Sequence, residues 1–386
     1  MRSTSNPFGV MMAAVLLGCA APSAQAPSPP VPTQAPPPGA PAPAAATAPA
    51  ENGAPEGAFA GCAANIGEGL TRELTLAGRK ATQTGARLRF TEPDLDGQLV
   101  IGVLGPINED SGLNLLALRK YLAFFTEHQA EAVVVTGDSG ETPSSMDRML
   151  KELSAAGLPV LVASGNRECK EDFNQGVALA QTRFDGIVNL NAIRSVELGG
   201  MTFVSLPGYH DPNYITCETG CRYDDRTLAD VITLAKEART PVVLVSHGPP
   251  RGASSQSLDY ATSAGNVGDP QVNKVITEGK IAFGLFSNIK EAGGRATAAD
   301  LATQIPEGKS VKTLMLNPGA ADTSRWEMNG GWASFGSAAV VTYSKGKASW
   351  KLFKAPKPTA EEKKAAKALE PARTPKPNKK PKPTAP

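Results

Sequence analysis

Val133-Val-Val-Thr-Gly-Asp138 decides the fold: four residues with β propensity and no charge, then a glycine and a carboxylate. A continuous apolar strand of this kind is buried on both faces. The same strand-then-polar-turn pattern recurs along the chain. It appears at Leu99–Leu104 before Gly-Pro-Ile-Asn, at Pro159–Ala163 before Ser-Gly-Asn166, and at Met201–Leu206 before Pro-Gly-Tyr-His210. Pro241–Ser246 before His247, Ile281–Phe286 before Ser-Asn288 and Thr313–Leu316 before Asn317 continue it. Helical periodicity lies between several of these strands. Leu115, Leu118, Leu122 and Phe125 share one face, and Met146, Met149, Leu150 and Leu153 share another behind a Ser144 or Ser145 cap. Leu228, Val231, Ile232 and Ala235 form a third face. Ala338–Tyr343 and Lys347–Leu352 alternate around Ser-Lys-Gly and predict a hairpin. The expectation is one layered α/β domain over residues 62–353, with its chemistry at the carboxyl ends of the strands. Asp138, Asn166, His210, His247, Asn288 and Asn317 stand there; His128, between Glu127 and Gln129 in a helix, reads as a surface residue.

The flanks differ from this body. Of 386 residues 33 are proline, 12 of them between Ala20 and Gly61 and 8 between Lys354 and Pro386. The net charge of +2 excludes a strongly basic nucleic-acid binder, and no nucleic-acid partner is expected. It hides a surplus of seven positive charges in residues 354–386, which leaves residues 1–353 at −5. Residues 19–61 read as a disordered Pro/Ala-rich spacer and residues 354–386 as a disordered Lys/Pro-rich tail suited to anionic lipid or envelope polymer. Residues 1–18 read as a signal peptide, because the Val10–Leu17 apolar run is too short to span a bilayer. Its end, Leu16-Leu-Gly-Cys19, resembles the lipobox of bacterial lipoproteins. That resemblance implies an acylated Cys19 and a lipid anchor, and Ala20 after it resembles the outer-membrane default. The other four cysteines suit an oxidising compartment. They allow three connectivities; Cys217–Cys221 and Cys62–Cys169 are the expected pairs.

Val133–Asp138, Val160-Leu-Val-Ala-Ser-Gly-Asn-Arg-Glu168 and Val242-Val-Leu-Val-Ser-His-Gly248, in that order, resemble the calcineurin-like metallophosphoesterases. The segments Phe283–Gly294 and Leu316–Gly319 extend the match. The resemblance implies a four-layer sandwich of two packed mixed β-sheets flanked by helices, with a two-metal phosphoesterase site at the strand ends. Residue by residue, however, the site departs from the pattern. Pro106 and Asn108 stand where the opening Asp and His belong, and Arg167 replaces the His of Gly-Asn-His-Glu. Asn288 and Lys290 replace both imidazoles of the closing Gly-His-x-His. Asp138, Asn166 and His247 are kept, enough for at most one divalent ion (Mn, Fe or Zn) and not for a two-metal cluster.

These replacements suggest that Arg167 and Lys290 supply the lost positive charge, neutralise a buried Asp138 and offer an anion site. The leading expectation is therefore an envelope lipoprotein whose domain is a catalytically inactive binding or scaffold module. Its partners are the membrane, through the anchor, and a protein or anionic envelope polymer. An impaired phosphoesterase using one remaining ion position is the first alternative, and a structural tether acting through the basic tail is the second.

Overall fold

The computed structural model describes residues 58–92 and 96–371. The expected signal peptide, Cys19, the expected spacer up to residue 57 and the tail from 372 lie outside the described residues. Two sheets pack face to face. In the first, the order is Lys347–Lys354, Ser337–Ser344, Gln98–Leu104, Ala132–Val135, Val160–Val162, Ile187–Asn189. Its last four strands are parallel, and the expected terminal hairpin adds antiparallel to Gln98–Leu104. The second sheet has nine strands, with Met201–Leu206, Val242–Ser246, Phe283–Leu285 and Leu314–Asn317 adjacent and parallel at its centre.

Among the described residues there are six α-helices: α1 (Gly112–Glu127), α2 (Pro143–Ser154), α3 (Lys170–Gln181), α4 (Asp225–Glu237), α5 (Pro270–Glu278) and α6 (Ala360–Lys367). Strand alternation sorts the core into layers. Leu99, Ile101 and Val103 join Phe203, Val243, Val245 and Leu316 between the sheets. Val100 and Leu104 face the other way, onto Leu118, Phe125, Met149 and Phe173 of α1, α2 and α3. Leu244 and Met315 meet Val231 of α4 and Val275 of α5. Helices, sheet, sheet, helices: the expected four-layer sandwich is present. Gly102 is required by this packing, since a Cβ there would sit 2.5 Å from the Phe125 ring.

Three expectations are corrected. The disulfides are Cys62–Cys221 and Cys169–Cys217. Cys217 and Cys221 bracket a turn in which Gly220 N donates to Cys217 O, and Gly220 bridges back to Cys169. That turn lies between two segments, and each of its cysteines pairs outward with one of them. The chain is also not structureless from residue 354, because α6 follows. A Thr359–Glu362 capping box starts this helix, Lys120 pairs with Glu362, and Glu370 accepts from Gly112 N at 3.0 Å. Finally, α2 is capped by Thr142 with Pro143 at its first position, rather than by Ser144 or Ser145. His128 ends α1, half-buried, with Nδ1 3.0 Å from Phe124 O.

Candidate functional site

The parallel strands of both sheets deliver Asp138, Asn166 and His247 to one point. Gly137 and Asp138 turn back after their strand with φ of 118° and 56°, a conformation open to glycine and tolerated by Asp. A Cβ on Gly165 would fall 2.3 Å from Asp138 Oδ1, so that glycine lets the next loop close over the carboxylate. Asn166 N and Arg167 N then donate to Asp138 Oδ1 at 3.0 and 3.1 Å. Asp138 Oδ2 lies 3.4 Å from His247 Nε2, which is also 2.8 Å from Asn166 Oδ1. The Asn166 amide orientation is fixed because Nδ2 donates to Tyr214 O at 2.6 Å. On the other side of the ring, His247 Nδ1 lies 3.1 Å from Thr136 O.

Three acceptor atoms (Asp138 Oδ2, Asn166 Oδ1 and the Nε2 lone pair of a neutral His247) cannot converge without a positive centre between them. A proton on Nε2 supplies it. Burial works against the charged ring, but Asp138 beside it raises the His247 pKa above the ordinary value. Burial likewise opposes the charged Asp138, yet the His247 charge and hydrogen bond, the Arg167 amide and more distant Lys290 hold its pKa below normal. Glu168, fully buried, accepts from Ser139 N at 2.6 Å and Gly165 N at 2.9 Å. Burial, then the charge of Asp138, pushes it up to about 8.

The charge logic expected from the sequence is corrected here. Arg167 turns its guanidinium to Glu141, at the surface. Lys290 Nζ lies 3.3 Å from Asp322 Oδ2 and 4.4 Å from the centre of the Trp326 ring. Neither makes an ion pair with Asp138, whose partner is His247. Asn108, held at φ 64°, donates its amide to the same Asp322 oxygen. Pro106 contributes only its carbonyl, which accepts from Ala321 N at 2.8 Å and Asp322 N at 3.1 Å. Asn288 is half-buried and interacts with the Tyr209 hydroxyl. Asn317 is structural, its amide donating to the carbonyls of Leu258, Ser287 and Ile289. His210 does not join this group; it sits in a hydrogen-bonded turn, with its carbonyl accepting from Arg222 Nε at 3.2 Å.

The donors do not fit a two-ion centre. Where the resemblance implies the first ion's ligands there are a proline ring, an amide donating to Asp322 and an ammonium group. Among the described residues no three His, Cys, Asp or Glu gather into a group able to hold a metal ion. Sequence reading missed Asp322, Glu141 and Trp326. Asp322 had a signal: a lysine near a strand end in an apolar body calls for a buried carboxylate, and Asp322 closely follows the strand Leu314–Asn317.

Comparison with solved structures finds chains of low identity. One solved structure is 14% identical, with 67% of this chain and 99% of that chain covered at a TM-score of 0.50. A dimetal phosphatase from Danio rerio is 13% identical over 66% of this chain and 98% of its own, at 0.40. An archaeal phosphodiesterase is 12% identical over 66% and 100%, at 0.36. The fold is a four-layer α/β sandwich, the layering that the metallophosphoesterase resemblance implies. At 14% identity and a TM-score of 0.50 the likeness to the first of these is one of fold alone. No protein-family model matches the sequence, and a search of curated proteins finds none similar to it.

Proposed function

We propose that the chain is a non-hydrolytic binding module on a metallophosphoesterase-like fold, exported to the bacterial envelope and anchored, at the outer membrane, by a lipid on Cys19. The observation that carries it is the Lys290–Asp322–Asn108 cluster, which stands where a first catalytic ion's ligands belong. Two-metal hydrolysis needs both ions to activate water and stabilise the leaving oxygen. A fixed ammonium paired to a carboxylate does neither. Export is supported by the Val10–Leu17 run and by two disulfides, which persist in oxidising compartments. The membrane, through the anchor, is one partner. A protein or anionic polymer of the envelope is the other, met through the domain or the basic segment after residue 371.

A second reading is an impaired phosphoesterase holding one Mn, Fe or Zn at Asp138, Asn166 and His247, favoured by the convergence of their three acceptor atoms. Elemental analysis of the purified chain, with hydrolysis of bis(p-nitrophenyl) phosphate in Mn or Zn, separates the two. The expected result is substoichiometric metal and no turnover. Stoichiometric metal with turnover abolished by His247→Ala would falsify the non-hydrolytic reading.

A further inference from the structure

Asn166 holds Oδ1 against His247 while its own Nδ2 meets a carbonyl, and that carbonyl belongs to Tyr214. Tyr214 lies in the loop 211–220, which is tied along its length to the segment 166–170. Thr216 N donates to Asn166 O at 2.9 Å, Thr216 Oγ1 to Arg167 O at 3.2 Å, and Lys170 N to Thr219 O at 3.3 Å. Gly220 packs so closely there that a Cβ on it would fall 3.3 Å from Glu168 O. The disulfide Cys169–Cys217 is the covalent link between the two segments.

The loop adds nothing to the core: none of residues 211–220 is buried, and Tyr214 is 57% exposed. A segment of exposed hydrogen bonds without buried apolar contacts opens at low free-energy cost unless a cross-link restrains it. Its ends are fixed separately, since Tyr209 N donates to Cys221 O at 2.9 Å and Cys221 is bonded to Cys62. The two disulfides also differ in access. Cys169 and Cys217 are both part-exposed, whereas part-exposed Cys62 is joined to a buried Cys221. Exposed disulfides are the more readily reduced.

We propose that Cys169–Cys217 is a redox-sensitive clasp that sets Asn166 against His247. The reductant is a dithiol. One of its thiolates attacks Cys217 Sγ, and Cys169 leaves as a thiolate. Its second thiol then displaces Cys217, so two electrons pass to the protein and the reductant departs as a disulfide. The freed loop carries the Tyr214 carbonyl away, and Asn166 loses the partner that orients its amide. Cys62–Cys221 keeps the end of the loop in place, so reoxidation restores the clasp. The proposal rests on the binding-module reading above and names the regulation of its site.

Dithiothreitol, as the probe dithiol, is titrated into the full chain, and the freed thiols are alkylated and assigned by peptide mass spectrometry. A ¹H–¹⁵N spectrum follows the Asn166 side-chain amide, identified by its loss in Asn166→Asp. The Asn317 side-chain amide, which meets three carbonyls, is the internal control. Cys169 and Cys217 should become alkylated at a dithiothreitol concentration roughly tenfold below that needed for Cys62 and Cys221. At that concentration the Asn166 peaks should move or broaden while the Asn317 peaks stay, and oxidised glutathione should restore the first spectrum. The double variant Cys169→Ser, Cys217→Ser should show the reduced spectrum without reductant. Opening of Cys62–Cys221 first or at the same concentration, or unchanged Asn166 peaks after selective reduction, overturns the clasp. Movement of the Asn317 peaks also overturns it, because the disulfide is then a staple of the whole fold. Metal-dependent turnover by the oxidised chain overturns the non-hydrolytic reading instead, so the two failures are distinguishable.

Discussion

Arg167 and Lys290 look equivalent in the sequence, as two cations on former imidazole positions, and the structure gives them different energetic weight. The Arg167–Glu141 pair is solvent-exposed, so Arg167→Ala is expected to cost less than about 1 kcal/mol in urea denaturation. Lys290 and Asp322 have side chains only 12% and 3% exposed. Lys290→Met therefore leaves a carboxylate buried without its cation and is expected to cost about 3 kcal/mol. Adding Asp322→Asn should recover much of that loss. A double variant as unstable as the sum of the singles would remove the pair from the account. The Asp138, Asn166 and His247 positions were legible because each sits at a fixed offset from an apolar strand. The destinations of Arg167 and Lys290 were not legible. A long flexible side chain chooses its partner through contacts distant in sequence: Asp322 stands three residues after the Leu316–Gly319 segment, but no spacing shows that Lys290 turns to it rather than to Asp138.

At the scale of elements, periodicity located the strands of both sheet centres and the apolar faces of α1, α2 and α4, because burial on two faces or on one stripe leaves a readable spacing. It failed at α6, where a mean composition rich in Lys and Ala resembles a solvated tail. That helix depends on local chemistry: the capping box at Thr359–Glu362, and the approach of Ala366 to Gly112, where a Cβ would meet Ala366 O at 2.0 Å. Thr359→Ala should weaken it by about 1 kcal/mol. Because α6 docks at the edge of the fold, the loss is local. Amide exchange in residues 360–367 should quicken roughly fivefold while the global melting temperature holds. Unchanged exchange there would show that tertiary contacts, and not the cap, hold the helix.

For the molecule as a whole, the buried ionisable groups set the pH dependence of stability. His247 has a folded pKa above its ordinary value, so its contribution is complete below about 6.5 and disappears as pH rises through the folded pKa. Glu168 acts in the same direction, since the folded state keeps its proton up to about 8 whereas the unfolded chain loses it near 4.5. Asp138 acts oppositely, contributing above 3.8 and losing that contribution as pH falls through its lowered value. Melting temperature should therefore peak in mildly acidic buffer and fall between pH 6 and 9; a flat or rising profile over that range would contradict the assigned charge states. The disulfide topology bears on how the molecule reaches this state. The pairs are nested, Cys169–Cys217 inside Cys62–Cys221, with sequence separations of 48 and 159. A chain emerging amino end first presents Cys62 and Cys169 together before either native partner exists. Oxidation in order of appearance thus makes the wrong bond, and the native pairing depends on thiol exchange to undo it. Refolding of the reduced chain should give more native product in a glutathione redox buffer than with an oxidant lacking free thiol, and equal yields would mean that the fold forms before its cysteines react.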